Sequence, residues 1–176
     1  MKKIVLITLS TLLALSFWNC EKDDICAEGT PVTPRLIIEF YDATDRTELK
    51  NVTDLRVEEF ATDNGVVFNE NIDETLPARY LSNSNKIAIP LKTFDINSKF
   101  DFILNYGNPS ENADAVSFSY DKEDIYISRA CGYKTIFNLT DNDPNTFPTS
   151  GYWIQDIEVI QPNIENENEV HVKIYF

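Results

Sequence analysis

The residue types that do chemistry are few in this chain, and their spacing suits almost none of it. There is one histidine, His171, between Val170 and Val172. Alternation along the last residues puts it with Lys173 and Tyr175, on what should be the polar face of a strand, so a solvent-facing role is expected; a catalytic triad or a zinc site would need further partners. Three cysteines occur, Cys20, Cys26 and Cys131, with no Cys-x-x-Cys or His-x-x-x-His spacing, so zinc lacks a ligand set. With only five glycines, neither a phosphate-cradling loop nor a Gly-x-Ser-x-Gly elbow is present. Acidic residues number 29, so some pair will always be close, and a glycosidase reading would rest on abundance alone. The expectation is a protein without catalysis and without a resident cofactor.

Two constellations could hold a ligand. Asp141, Asp143 and Asn145 stand at alternate positions, and alternate oxygens from a tight loop can converge on a hard cation such as calcium. The calcium-loop pattern then fails, with Thr146 where glycine is required and Tyr152 where the bidentate glutamate should be. Turn formation by Asp, Asn and Pro accounts for the same residues without an ion. Tyr152 and Trp153 form the second constellation, since an indole beside a polar loop could stack a sugar ring. Trp153 also begins a pattern in which Gln155, Ile157 and Val159 share its face, and core packing is the competing role.

The N-terminus carries an address. Lys2 and Lys3 precede an apolar run from Ile4 to Phe17, and Cys20 stands where cleavage would fall. The run is shorter than the ~20 apolar residues that span a bilayer. Residues 1–19 therefore read as a lipoprotein signal peptide and Cys20 as the lipidated residue, although Phe17-Trp18-Asn19 is bulkier than the usual cleavage box. Lys22, Asp23 and Asp24 follow, resembling the surface-export signal of Bacteroidota lipoproteins; a solvated, extended tether is the plainer reading. The expected location is the outer membrane, anchored by lipid and displayed on the cell surface. Residues 20–33 would form the tether and 34–176 a single domain.

Charge narrows the partners. The net charge is −14, and loss of Lys2 and Lys3 makes the mature chain more acidic still, which argues against nucleic acid and against peripheral binding to anionic lipid head groups. Hydrophobic residues at 43% and aromatics at 12% are too many for a disordered chain. Once Cys20 is acylated, Cys26 and Cys131 remain as an even pair in an oxidising compartment, which invites a disulfide. Two unpaired thiols, with Cys131 in the core, is the alternative.

The elements that must position these residues read as strands. Leu36, Ile38 and Phe40 alternate within 35–41, as do Phe100, Phe102, Leu104 and Tyr106 within 99–106, and Val170, Val172, Ile174 and Phe176 at the end. Further strands are expected at 53–60, 86–91, 115–120, 125–130, 133–139 and 153–161. Asp121-Lys122-Glu123-Asp124 reads as the loop of a hairpin, Gly132 as a tight corner or bulge, and 107–112 as a turn. Asp63 to Pro77 and Asp141 to Gly151 read as long polar loops. No window shows a helical stripe. The expectation is an all-β, antiparallel, immunoglobulin-like sandwich.

The run CEKDDIC, then TPRLIIEFYD, then YISRACGYKTIFNL and a strand-rich tail resembles a family of small flavobacterial and Bacteroidota lipoproteins whose domain has no assigned function. The resemblance runs over nearly all of the mature chain and implies lipidation at Cys20 and an envelope location. It implies no activity. Two roles follow as expectations. The first is a lipid-anchored envelope protein that docks on a protein partner; the second is a module that binds a glycan or other small ligand through the 141–153 loop.

Overall fold

A computed structural model describes residues 25–27, 29–30, 32–140, 146–148 (backbone) and 151–176. Cys20, Lys22, Asp23, Asp24, Asp141, Asp143 and Asn145 lie outside the described residues, as does the signal peptide. The chain divides into two compact units. One takes in the described residues before Val32 together with Tyr126–Lys134; the other comprises Val32–Ile125 and Thr135–Phe176.

Among the described residues the fold is all-β, with eleven strands: β1 Leu36–Tyr41, β2 Leu55–Glu59, β3 Leu81–Ser82, β4 Lys86–Ile89, β5 Asn97–Leu104, β6 Asn112–Ser128, β7 Gly132–Leu139, β8 Thr146–Pro148, β9 Asp156–Val159, β10 Asn163–Ile164 and β11 Val172–Tyr175. A short 3-10 turn spans Pro77–Tyr80. One sheet runs β4-β1-β11-β9. The other runs β10-β7-β6-β5-β2-β3, with β8 attached to β6. The sheets are mostly antiparallel, but β1 pairs with β11 in parallel, Ile38 opposite Val172 and Phe40 opposite Ile174.

Both sheets feed one core. Leu36, Ile38 and Phe40 of β1 are wholly buried, as the alternation predicts, and meet Val57, Phe102, Val116 and Phe118 of the other sheet in the same hydrophobic cluster. β5 and β6 make a long hairpin, paired from Asn97 opposite Ser119 to Leu104 opposite Asn112. Its loop is the expected one: Asn105 and Gly107 both take positive φ, and the Gly107 N–H donates to Glu111 Oε2 at 2.7 Å.

Two expectations are corrected. Asp121–Asp124 is not a hairpin loop but the middle of β6, which runs unbroken for 17 residues. That tetrapeptide has no glycine, asparagine or proline to supply turn geometry. The reversal instead comes at Arg129–Cys131, where Gly132 follows with φ of 69°. His171 is not on a solvent face: it is 1% exposed, and Tyr175 is 3% exposed. The alternation along β11 is right, but the sheet's outer face is itself covered. Arg46 and Tyr41 lie over Tyr175 there, and Lys173 lies over Tyr41.

Candidate functional site

Cys26 and Cys131 are joined by a disulfide within the smaller unit. The Cys131 N–H donates to Ser128 Oγ at 3.1 Å, which tightens the reversal that carries it. On the same hairpin tip the Tyr126 and Tyr133 rings meet edge to face at 5.3 Å.

Trp153 is a core residue. It is 7% exposed, its ring packs edge to face on Phe176 at 5.3 Å, and its Nε1–H donates to the Phe102 carbonyl at 3.0 Å. An indole held this way has no face left for a sugar, so the stacking reading loses its platform; Tyr152 is exposed beside it. What holds Trp153 was not legible from its neighbours. Asp114 of β6 is fully buried, and its Oδ2 accepts the N–H groups of Trp153 at 2.9 Å and Ile154 at 2.8 Å. Burial pushes the Asp114 carboxyl above its ordinary pKa, against the two backbone hydrogen bonds. Its Oδ1 is buried without a hydrogen-bond partner among the described residues.

His171 plays the matching part in the other sheet. Its Nδ1 accepts the Ile37 N–H at 2.9 Å, and its own backbone N–H donates to the Ile37 carbonyl at 3.0 Å. This geometry requires the neutral imidazole with its proton on Nε2. Burial lowers its pKa, opposed by Glu169, Glu167 and a hydrogen bond to the Asn166 backbone. Both residues are structural, each fixing a backbone segment inside the fold. A single histidine between valines carries no sequence signal that separates this role from a surface one.

The concave surface lies elsewhere, beside the edge strand β4. A cleft of about 690 Å³ runs between the Val67–Ile72 segment and the chain from Leu81 to Ala88, and a second of about 470 Å³ adjoins it, sharing Arg35, Val67, Glu70 and Ala88. The first is rimmed by amides and hydroxyls, including Asn69, Asn71, Asn83 and Ser84. The second has Val66, Pro90, Leu91 and Phe100 in its walls. Neither lining contains a histidine or a cysteine. The cations at the rim are paired: Arg35 grips Glu167 with two bonds of 2.9 and 2.6 Å, Lys86 meets Glu39 at 2.8 Å, and Lys92 meets Glu59 at 2.6 Å.

The wall opposite β4 is one of the two long polar loops, and it is braced. Arg79 donates to the carbonyls of Glu70 and Ile72, while the Asn69 side chain donates to those of Ala78 at 2.7 Å and Leu81 at 2.9 Å. Asp73 accepts from the Thr75 hydroxyl and N–H, a local turn that holds its carboxyl below the ordinary pKa. Gly65 lets this loop close on the sheet, because a Cβ there would sit 3.1 Å from the Tyr80 ring. The strand edge itself offers little. The Phe40 N–H donates to the Asn85 carbonyl, so in this register Ile87 and Ile89 bond toward β1 while Lys86 and Ala88 point their backbone groups outward. The Lys86 N–H is taken by Ser84 Oγ and Pro90 has none, leaving the Ala88 N–H as the outward donor. Such an edge resists strand addition, so recognition here falls to the side chains of the cleft. Among the described residues, no group of three or more His, Cys, Asp or Glu is arranged to hold a metal ion.

A family profile described as a family of unknown function (DUF6452) matches residues 55–176, and the chain belongs to that family. The match includes Cys131 and the cleft from Glu59 onward and leaves out β1, Arg35 and Cys26, so it is shorter than the expected resemblance. No curated protein and no solved structure matches the chain.

Proposed function

As a member of a family without an assigned activity, this chain must be read from its own chemistry, and we propose that it is a lipid-anchored, cell-surface envelope protein that holds a protein partner and catalyses nothing. The reading of the address rests on the leader, Cys20 and the Lys22-Asp23-Asp24 run. The observation that carries the binding role is the pair of adjoining clefts beside β4, one polar at its rim and one apolar in its walls, on a braced frame. Apolar surface beside a polar rim suits a segment of polypeptide better than a reacting small molecule. In this reading the two facing sheets form an immunoglobulin-like sandwich, supported by their common core and by the pairing of the first strand with the last.

A photo-crosslinking residue at Asn71, with one at exposed Ile160 as control, tests the role in intact cells. A discrete adduct at Asn71 that is absent at Ile160 and lost on Val67→Glu supports a partner in the cleft. Equal labelling at the two positions, or none, overturns it. Proteinase K treatment of the same cells, alongside a periplasmic control, tests the location separately: degradation while the control survives is the expected result, and protection until detergent is added excludes surface display.

A further inference from the structure

The hairpin tip that carries the disulfide differs in chemistry from the rest of this acidic chain. Its nine residues, Tyr126 to Lys134, include Arg129 and Lys134 and no acid, within a protein of net charge −14. Tyr126 is 55% exposed and Tyr133 68%, with their rings in contact. Ile25, 83% exposed, precedes the cysteine that the tip binds. Large aromatics with a polar end and an aliphatic side chain are what the headgroup layer of a bilayer accommodates, with the rings at the acyl boundary.

Covalent geometry supplies the second observation. Cys26 is six positions after Cys20, and six extended residues reach about 20 Å at most. The disulfide carries that limit from Cys26 to Cys131. With the 4.9 Å between the two Cα atoms of the bridge added, a lipid on Cys20 keeps Cys131 within about 25 Å of the acyl boundary, less than the thickness of a bilayer's hydrocarbon core. A tip that close, carrying two exposed tyrosines and no acid of its own, has the headgroup layer as the nearest surface that complements it.

We propose that the disulfide-bonded tip, through Tyr126 and Tyr133, rests in the headgroup layer of the membrane that anchors the chain, as a second contact beside the lipid. Two weak contacts on one short tether reinforce one another, because the first fixes a high local concentration for the second. This inference rests on the lipidation of Cys20 argued above.

The test uses the mature lipidated chain, reconstituted into vesicles of phosphatidylethanolamine and phosphatidylglycerol with acyl chains brominated close to the headgroup. Tyr133→Trp reports the tip and Phe94→Trp, at a fully exposed position, reports bulk solvent. Because indoles settle at headgroup level, emission from the Tyr133→Trp chain should fall by roughly twofold more than from the Phe94→Trp chain, relative to unbrominated vesicles. Adding Cys131→Ser should erase the difference while the protein still floats with the vesicles. Flotation with equal quenching of the two reporters overturns the tip contact and leaves the anchor standing. Failure to float in detergent-free vesicles overturns both.

Discussion

From Asn112 to Tyr120, β6 is embedded: β5 pairs with it residue for residue, β8 lies along Asp114–Val116, and Ala115, Val116, Phe118 and Tyr120 are buried. From Asp121 to Asp124 the same strand is exposed at every position, and its Asp124 carboxylate accepts the Thr135 hydroxyl at 2.6 Å. The backbone is extended in both halves, so the sequence of the outer half does not by itself dictate a strand. The inner half is specified by alternation and burial. The outer half is extended with no glycine, asparagine or proline to turn it, and its reversal waits for Cys131 and Gly132. An acid shows the contrast most sharply, since Asp114 is wholly buried as a clamp for two N–H groups and Asp121 is solvated.

Four measurements would break or sharpen this contrast. The largest effect should come from the outer end. The disulfide closes a loop with a separation of 105 positions, and Cys131→Ser should cost up to about 4–5 kcal/mol in denaturant unfolding if that closure restricts the unfolded chain. A loss under about 1 kcal/mol would show that the smaller unit frays without the body noticing. In the inner half, Phe118→Ala should cost about 3–5 kcal/mol, while Tyr126→Ala on the exposed half should stay within about 0.5 kcal/mol; comparable losses at the two sites would erase the contrast.

Asp114→Ala leaves two buried N–H groups without an acceptor and should cost about 2–4 kcal/mol, with Asp121→Ala near zero. Asp114 also has a signature in acid. Its folded pKa is raised above its ordinary value of 3.8, so its contribution to stability is fullest below that value and is lost as pH rises through the folded pKa. Asp114→Asn should remove that slope from a series of melts between pH 3 and 6. The smallest effect is expected at His171, where the folded pKa is lowered from 6.5. Its contribution is therefore present above pH 6.5 and lost as pH falls through 6.5 toward the folded pKa, where the Nδ1 acceptor for Ile37 is protonated. Melting temperatures of the wild type and His171→Gln should diverge at neutral pH and converge in acid; parallel curves would show that His171 does not titrate across that range.

The cleft shows how far local pattern reaches. Its β4 wall was read as a strand and its opposite wall as a polar loop, and both readings hold. That the loop is braced by Arg79 and Asn69, and that it stands across from β4 to leave a cavity, depends on hydrogen bonds to carbonyls seven to twelve positions away. Arg79 looks like any surface arginine in the sequence. Tyr152 and Trp153 illustrate the reverse: adjacent aromatics look like one platform until the clamp from Asp114 draws one inward and leaves the other out.

The sequence by itself determined the class of fold, the core faces of β1 and β5, the β5–β6 turn and the two cysteines left to pair, because alternation, glycine and asparagine placement and cysteine count are local properties. Only the tertiary structure decided where β6 reverses, that both faces of β11 are covered, that Trp153 is clamped from β6 and that β4 borders a cleft. Each of those depends on which segments become neighbours. Side chains far apart in the chain, such as His171 and Ile37 or Asp114 and Trp153, acquire their roles only when the two sheets bring them within hydrogen-bonding distance.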